Sequence, residues 1–126
     1  MRFAWNDIWN ALIRGKMERK DHGKALELLA PLRRREPSHP WWNYLTALAL
    51  HLQGRNLSEA LKLYDLALQH TPELDAEEFW IRYNRGALLH RLGKRDLALV
   101  DVQRAIQLQP SHAGAQGLLR ELTSRG

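Results

Sequence analysis

Three stretches of this chain can be laid over one another letter by letter: "ALELLAPLRRREP" at 25–37, "ALKLYDLALQHTP" at 60–72 and "ALVDVQRAIQLQP" at 98–110. Each begins Ala-Leu and closes on Pro twelve residues later. The fifth letter is large and apolar (Leu29, Tyr64, Val102), and the eighth is Leu32, then Ala67, then Ala105. Repetition at a fixed interval constrains a fold more than any isolated motif, because every copy must adopt the same local structure. The apolar spacing makes that structure helical, and the prolines stop it. Strand signals are nearly absent, since β-branched residues are scarce and period-two alternation is missing.

The segments between these frames are helical too. "WWNYLTALALHLQG" (41–54) returns as "WIRYNRGALLHRLG" (80–93), matching Trp41/Trp80, Tyr44/Tyr83, Leu50/Leu89, His51/His90 and Gly54/Gly93, with Ala47/Gly86 small in both. Near the start, Trp5, Ile8, Trp9, Leu12 and Ile13 follow one apolar helix face. The final stretch, about Ala113 to Thr123, places Leu118, Leu119 and Leu122 on one side. The spacing therefore predicts three helical hairpins and a last helix. One hairpin cannot bury its own apolar faces, so neighbours must stack.

This pattern resembles the tetratricopeptide repeat, a helix-turn-helix unit with a small residue in the first helix, Gly at the turn, two Ala in the second helix and a closing Pro. The third unit carries Gly86, Leu89, Leu92, Gly93, Ala98, Ala105 and Pro110 at the family spacing. The second carries Ala47, Leu50, Gly54, Ala60, Ala67 and Pro72 with one extra turn residue. The first is degenerate, keeping Trp9, Ala25 and Pro37 but no turn glycine. The resemblance implies an all-α, right-handed superhelix: one domain over 1–126, with units at about 5–38, 40–74 and 79–112 and a capping helix at about 113–124. Three features depart from the pattern. "ELDAEE" (73–78) is an excess whose Asp75 and Glu78 read as a capping box opening an extra turn before Phe79. Pro31 predicts a kink near Ala30, and Arg82 stands where the family places a large core residue.

Composition narrows the function. There is no cysteine, which removes disulfides, thiol nucleophiles and Cys-type zinc sites. Asn6, Asp7 and Asn10 break any secretion-signal core, and no stretch approaches the roughly 20 apolar residues of a membrane span. The expectation is a soluble, cytoplasmic protein. No phosphate-binding or nucleophile-elbow motif occurs, so no catalysis and no cofactor are expected. Ser38, Ser58, Ser111 and Ser124 read as helix caps, and His22, His39, His70 and His112 as solvated loop residues. His51 and His90 lack the additional ligands a metal needs.

In the tetratricopeptide family the first helices of successive units line the concave face. The resemblance thus implies a groove bearing Trp41, Tyr44, Leu48, His51, Trp80, Tyr83, Asn84, His90 and Arg91, which would bind a peptide or helix of a partner protein. Aromatic residues suit recognition because they bury much area and keep a polar handle. The same spacing also suits a core, and the sequence leaves Trp41 and Trp80 open between the two. Some family members clamp a partner's terminal carboxylate with Lys, Asn and Arg. The corresponding positions here are Asn10, Arg14, Leu45, Trp80 and Asn84, which hold one cation and do not reproduce that clamp.

Residues 1–40 hold nine basic and five acidic side chains within a net charge of +5. Arg33, Arg34 and Arg35 form a basic patch that opens a nucleic-acid alternative, although cations at a helix C-terminus also meet its dipole favourably. Self-association through the first helix, or its contact with a membrane surface, is a further alternative. The identity of the partner is not written in the chain.

Overall fold

The computed structural model describes residues 2–71 and 76–124, with side chains from Asn6 onward. The side chain of Trp5, the closing Pro72 and the Asp75 half of the expected capping box lie outside this set. Seven helices follow one another: α1 (Arg2–Glu18), α2 (His22–Arg35), α3 (Pro40–Gln53), α4 (Leu57–Gln69), α5 (Ala76–Arg91), α6 (Arg95–Leu108) and α7 (Ala113–Thr123). No strand occurs among the described residues. Each helix packs on the next in the chain, and α5 also touches α3 and α7, so the three hairpins stack in series.

The turn inside each hairpin closes the same way. Gly54 and Gly93 adopt left-handed backbone angles (φ 72° and 77°), and the following amide bonds back to the carbonyl five residues earlier, Arg55 to Leu50 and Lys94 to Leu89. Glycine suits this closure because no Cβ meets the carbonyl. The first hairpin makes the equivalent bond, Asp21 to Lys16, with Lys20 at φ 62°. The missing turn glycine is thus replaced by a strained lysine at a cost of about 1–2 kcal/mol, and the turn is retained.

Entry into α3 and α7 uses a device the sequence reading overlooked. Pro37-Ser38-His39 and Pro110-Ser111-His112 precede these helices, and in both the histidine is the cap. His39 Nδ1 accepts from the Trp42 amide at 3.3 Å, and His112 Nδ1 from the Ala115 amide at 3.1 Å. A second bond locks each entry: the Asn43 amide donates to the Pro37 carbonyl at 2.8 Å, and Gln116 donates to the Pro110 carbonyl. The serines expected as caps, Ser38 and Ser111, stand one residue too early and are exposed. Ser58 likewise falls inside the first turn of α4, after the Asn56 cap position. Helix α2 runs unbroken through Pro31, which is exposed.

The core lies between the helix layers. Trp42, Tyr64, Phe79, Ile13 and Leu29 are its largest fully buried side chains, with Ala25, Ala60, Ala67, Ala98 and Ala105 at the close approaches. Gly86 marks another, since a Cβ there would lie 2.9 Å from Val102 Cγ2. Leu92 is 37% exposed.

Arg82 resolves its apparent misfit by joining a layer of charge between α5 and α6. Its Nη1 donates to Asp101 Oδ1 at 3.1 Å and its Nε lies 3.4 Å from Glu78. Arg85 grips Asp101 with two bonds of 2.7 Å and reaches Asp65 on α4 at 2.9 Å, and Arg104 donates to Glu78 at 3.0 Å. Glu78, read earlier as half of a capping box, is buried and serves this layer. Bidentate arginine–carboxylate geometry gives such contacts direction as well as attraction.

Candidate functional site

Helical spacing puts Trp41, Tyr44, Leu45, Leu48 and Leu52 along one side of α3, and Trp80 and Asn84 one turn apart on α5. These residues line a single cleft of about 390 Å³, completed by Arg14, Met17 and Glu18 at the end of α1. Every lining residue therefore comes from the first helix of a hairpin. The volume lies near the small end of the roughly 300–1,000 Å³ usual for ligand pockets.

Hydrogen bonds stitch the three helices together beneath it. Trp41 Nε1 donates to Asn10 Oδ1 at 2.7 Å, tying α3 to α1. Asn84 Nδ2 donates to the Tyr44 phenol oxygen at 2.8 Å and to the Trp80 carbonyl at 3.0 Å, tying α5 to α3. Tyr44 is only 4% exposed, and its ring lies 4.7 Å from that of Trp41. Burial pushes its hydroxyl well above the ordinary tyrosine range, opposed by the Asn84 bond and the nearby Arg14 charge, so it stays protonated. Trp80 is 37% exposed, Trp41 half-buried.

Five of the nine groove residues read from the sequence line this cleft: Trp41, Tyr44, Leu48, Trp80 and Asn84. The other four do not. His51 turns away into the second hairpin, where its Nδ1 lies 2.9 Å from the Tyr64 hydroxyl. Burial and the Arg91 charge both lower its pKa. Arg91 donates from Nη1 to the His51 carbonyl at 3.3 Å and lies over Gly54, so it closes the end of α3. Tyr83 stacks at 5.9 Å on Phe79 and meets His112 at 5.1 Å, filling the junction with α7. His90 is exposed, its Nε2 3.5 Å from Glu121. The cause lies in the second helix of each unit: His51 faces Tyr64, whereas the residue equivalent to Tyr64 in the third unit is Val102, which has no hydroxyl to bond.

The basic patch is only partly free. Arg33 Nε donates to Asn43 Oδ1 at 2.9 Å, while Arg34 and Arg35 are exposed in the last turn of α2. Among the described residues no group of three His, Asp or Glu side chains could hold a metal ion. Again among these residues, no helix is long and apolar enough to cross a membrane. Met17, Glu18 and Leu52 were not anticipated as lining. Arg14 to Glu18 is one helical turn, a spacing that could have found Glu18 once Arg14 was placed.

Among solved structures, the first tetratricopeptide domain of Spaghetti (RPAP3) bound to an HSP90 peptide superposes with a TM-score of 0.79 at 18% identity, covering 93% of this chain and 89% of that one. The Arabidopsis OM64 domain gives 0.78 at 15% identity, with 95% of each chain covered. The fold is the tetratricopeptide-repeat superhelix. PcrH, in complex with the chaperone-binding region of PopD, shares it at a TM-score of 0.71 and 14% identity over 98% of this chain and 90% of that one. No protein-family model matches the sequence. No curated protein matches it either. As a tetratricopeptide fold, the chain has its first helices, α1, α3 and α5, side by side, and these are the helices that line the cleft.

Proposed function

We propose that this chain is a non-enzymatic protein-interaction module that holds a peptide or helix of a partner protein in the cleft between α1, α3 and α5. The observation that carries the reading is the meeting of two sequence-equivalent tryptophans, Trp41 and Trp80, in one cleft. The fold can be built without an indole at the rim, and Trp80 remains more than a third exposed. Large, partly exposed aromatic side chains beside apolar ones are the usual anchors of protein recognition. Similar domains in the Spaghetti and PcrH structures were solved with peptide or chaperone-binding segments, which accords with a binding role. A cytoplasmic, cofactor-free protein in one domain of three units and a cap is part of the same proposal.

The deciding experiment is affinity capture with the wild-type chain and with a W41A/W80A double variant, read beside far-UV circular dichroism. Loss of captured partners with helicity intact supports the cleft. Unchanged capture by a folded double variant refutes it.

A further inference from the structure

We infer that the cleft takes an amphipathic α-helix of a partner protein, and that Arg14 and Glu18 select the order of charges along that helix. This rests on the cleft being the binding site. The argument begins with what an extended peptide would need. Such a segment brings an amide and a carbonyl with every residue, and a groove that buries them must supply partners for them.

Here the polar groups beneath the cleft are already committed to one another. The indole N–H of Trp41 is given to Asn10, and the Asn84 amide nitrogen donates both to Tyr44 and to the Trp80 carbonyl. What is left, the Asn84 carbonyl oxygen and the Tyr44 hydroxyl hydrogen, with the Trp80 indole N–H and the Arg14 and Glu18 side chains at the edge, serves scattered side-chain contacts rather than a backbone ladder. The rest of the α3 wall, Leu45, Leu48 and Leu52, is aliphatic, with Leu52 54% exposed at its rim. An α-helix satisfies its backbone internally and offers a stripe of apolar side chains. About 390 Å³ has room for a few such side chains, so the helix lies across the mouth and inserts its anchors.

The charges give direction. Arg14 and Glu18 stand one turn apart on the cleft side of α1, are exposed, and form no ion pair with each other or with any other described residue. A helix with an acidic residue facing Arg14 and a basic residue facing Glu18, one turn apart beside its apolar stripe, complements both. The opposite order places like charges together in the same pose.

Two display libraries test the inference on the purified full chain. One randomises the exposed face of a helix on a rigid helical scaffold; the other is linear, with proline at every third position so that no helix forms. Selection is run on wild type, on W41A/W80A, and on the charge swap R14E/E18R. All baits are checked by circular dichroism, with W41F/W80F in reserve if the alanine pair unfolds. The expected result is enrichment from the helical library, at least about tenfold weaker binding of those clones to the tryptophan variant, and reversed charge order on the swapped bait. Enrichment from the proline library alone overturns the helix and leaves the cleft standing as a peptide site. Unchanged charge order on R14E/E18R overturns the role of Arg14 and Glu18. No tryptophan-dependent enrichment from either library overturns the cleft itself.

Discussion

Acid should loosen this fold in a pH range where its carboxylates are still ionised, and the His39 cap is one reason. His39 Nδ1 accepts the Trp42 amide and its ring stacks on Trp42 at 4.7 Å, so the bond exists only while that nitrogen carries no proton. Burial lowers the pKa of His39 below 6.5, partly offset by Glu36 and by a backbone hydrogen bond. In the unfolded chain the imidazole returns to its ordinary value near 6.5. The unfolded state therefore takes up a proton first as pH falls, so stability is full above about pH 6.5 and declines below it. Linkage limits the slope to about 1.4 kcal/mol per pH unit for each such histidine. An N-cap is worth about 0.5–2 kcal/mol, which sets the scale of the loss at this site. His51, whose pKa is also lowered, adds to the decline in the same direction. Urea unfolding followed by circular dichroism at about pH 7.5 and 5.5 reads the effect, since carboxylates titrate mostly below about pH 5. The comparison is H39N, because asparagine caps a helix without titrating. H39N should match wild type within about 0.5 kcal/mol at the higher pH and lose about 0.5–1 kcal/mol less on acidification. An equal acid loss in H39N would refute the reasoning.

Four further outcomes follow from the packing and charge. G86A forces a Cβ to within 2.9 Å of Val102 Cγ2 and should cost about 1–3 kcal/mol in urea unfolding. D101N removes the buried carboxylate that Arg82 and Arg85 share, leaving them Glu78 and Asp65, and should cost about 3 kcal/mol. D65N, at a carboxylate 58% exposed, should cost about 1 kcal/mol or less, so equal thermal shifts for the two would contradict the buried layer. Y64F strips the hydroxyl from His51 and should cost about 1–3 kcal/mol while leaving binding at the cleft unchanged; a change in binding would place His51 back among the recognition residues.

The helices and their stacking were legible because the signals were repeated. Ala-Leu frames, closing prolines and the turn glycines each occurred more than once, and small residues marked the close approaches. Legibility failed where a repeated letter met an unrepeated partner. His51 and His90 occupy equivalent positions, yet only one has a hydroxyl to face. Trp41 and Trp42 posed the opposite difficulty. Trp41 stands out because it recurs, while the unrepeated Trp42 is the largest fully buried side chain. The cleft was half legible for the same reason. Its α3 and α5 walls recur in the sequence, but Met17 and Glu18 come from the degenerate first unit, where no repeat points to them. Arg82 looked wrong at a core position because its carboxylate partner Asp101 lies nineteen residues away on another helix.

The doubled lock at the start of α3 has a consequence for rotation. Successive residues on a helix point about 100° apart, so two adjacent tryptophans cannot face the same way. His39 holds the Trp42 amide, and Asn43 holds the Pro37 carbonyl, which together set the angular phase of the helix at its first turn. That phase sends the Trp42 side chain inward and leaves Trp41 at the cleft. A slip of one residue at the entry would put one indole in the other's place without changing the composition of the helix. The short Pro-Ser-His lead thus works as an index mark, deciding which tryptophan the molecule keeps and which it shows.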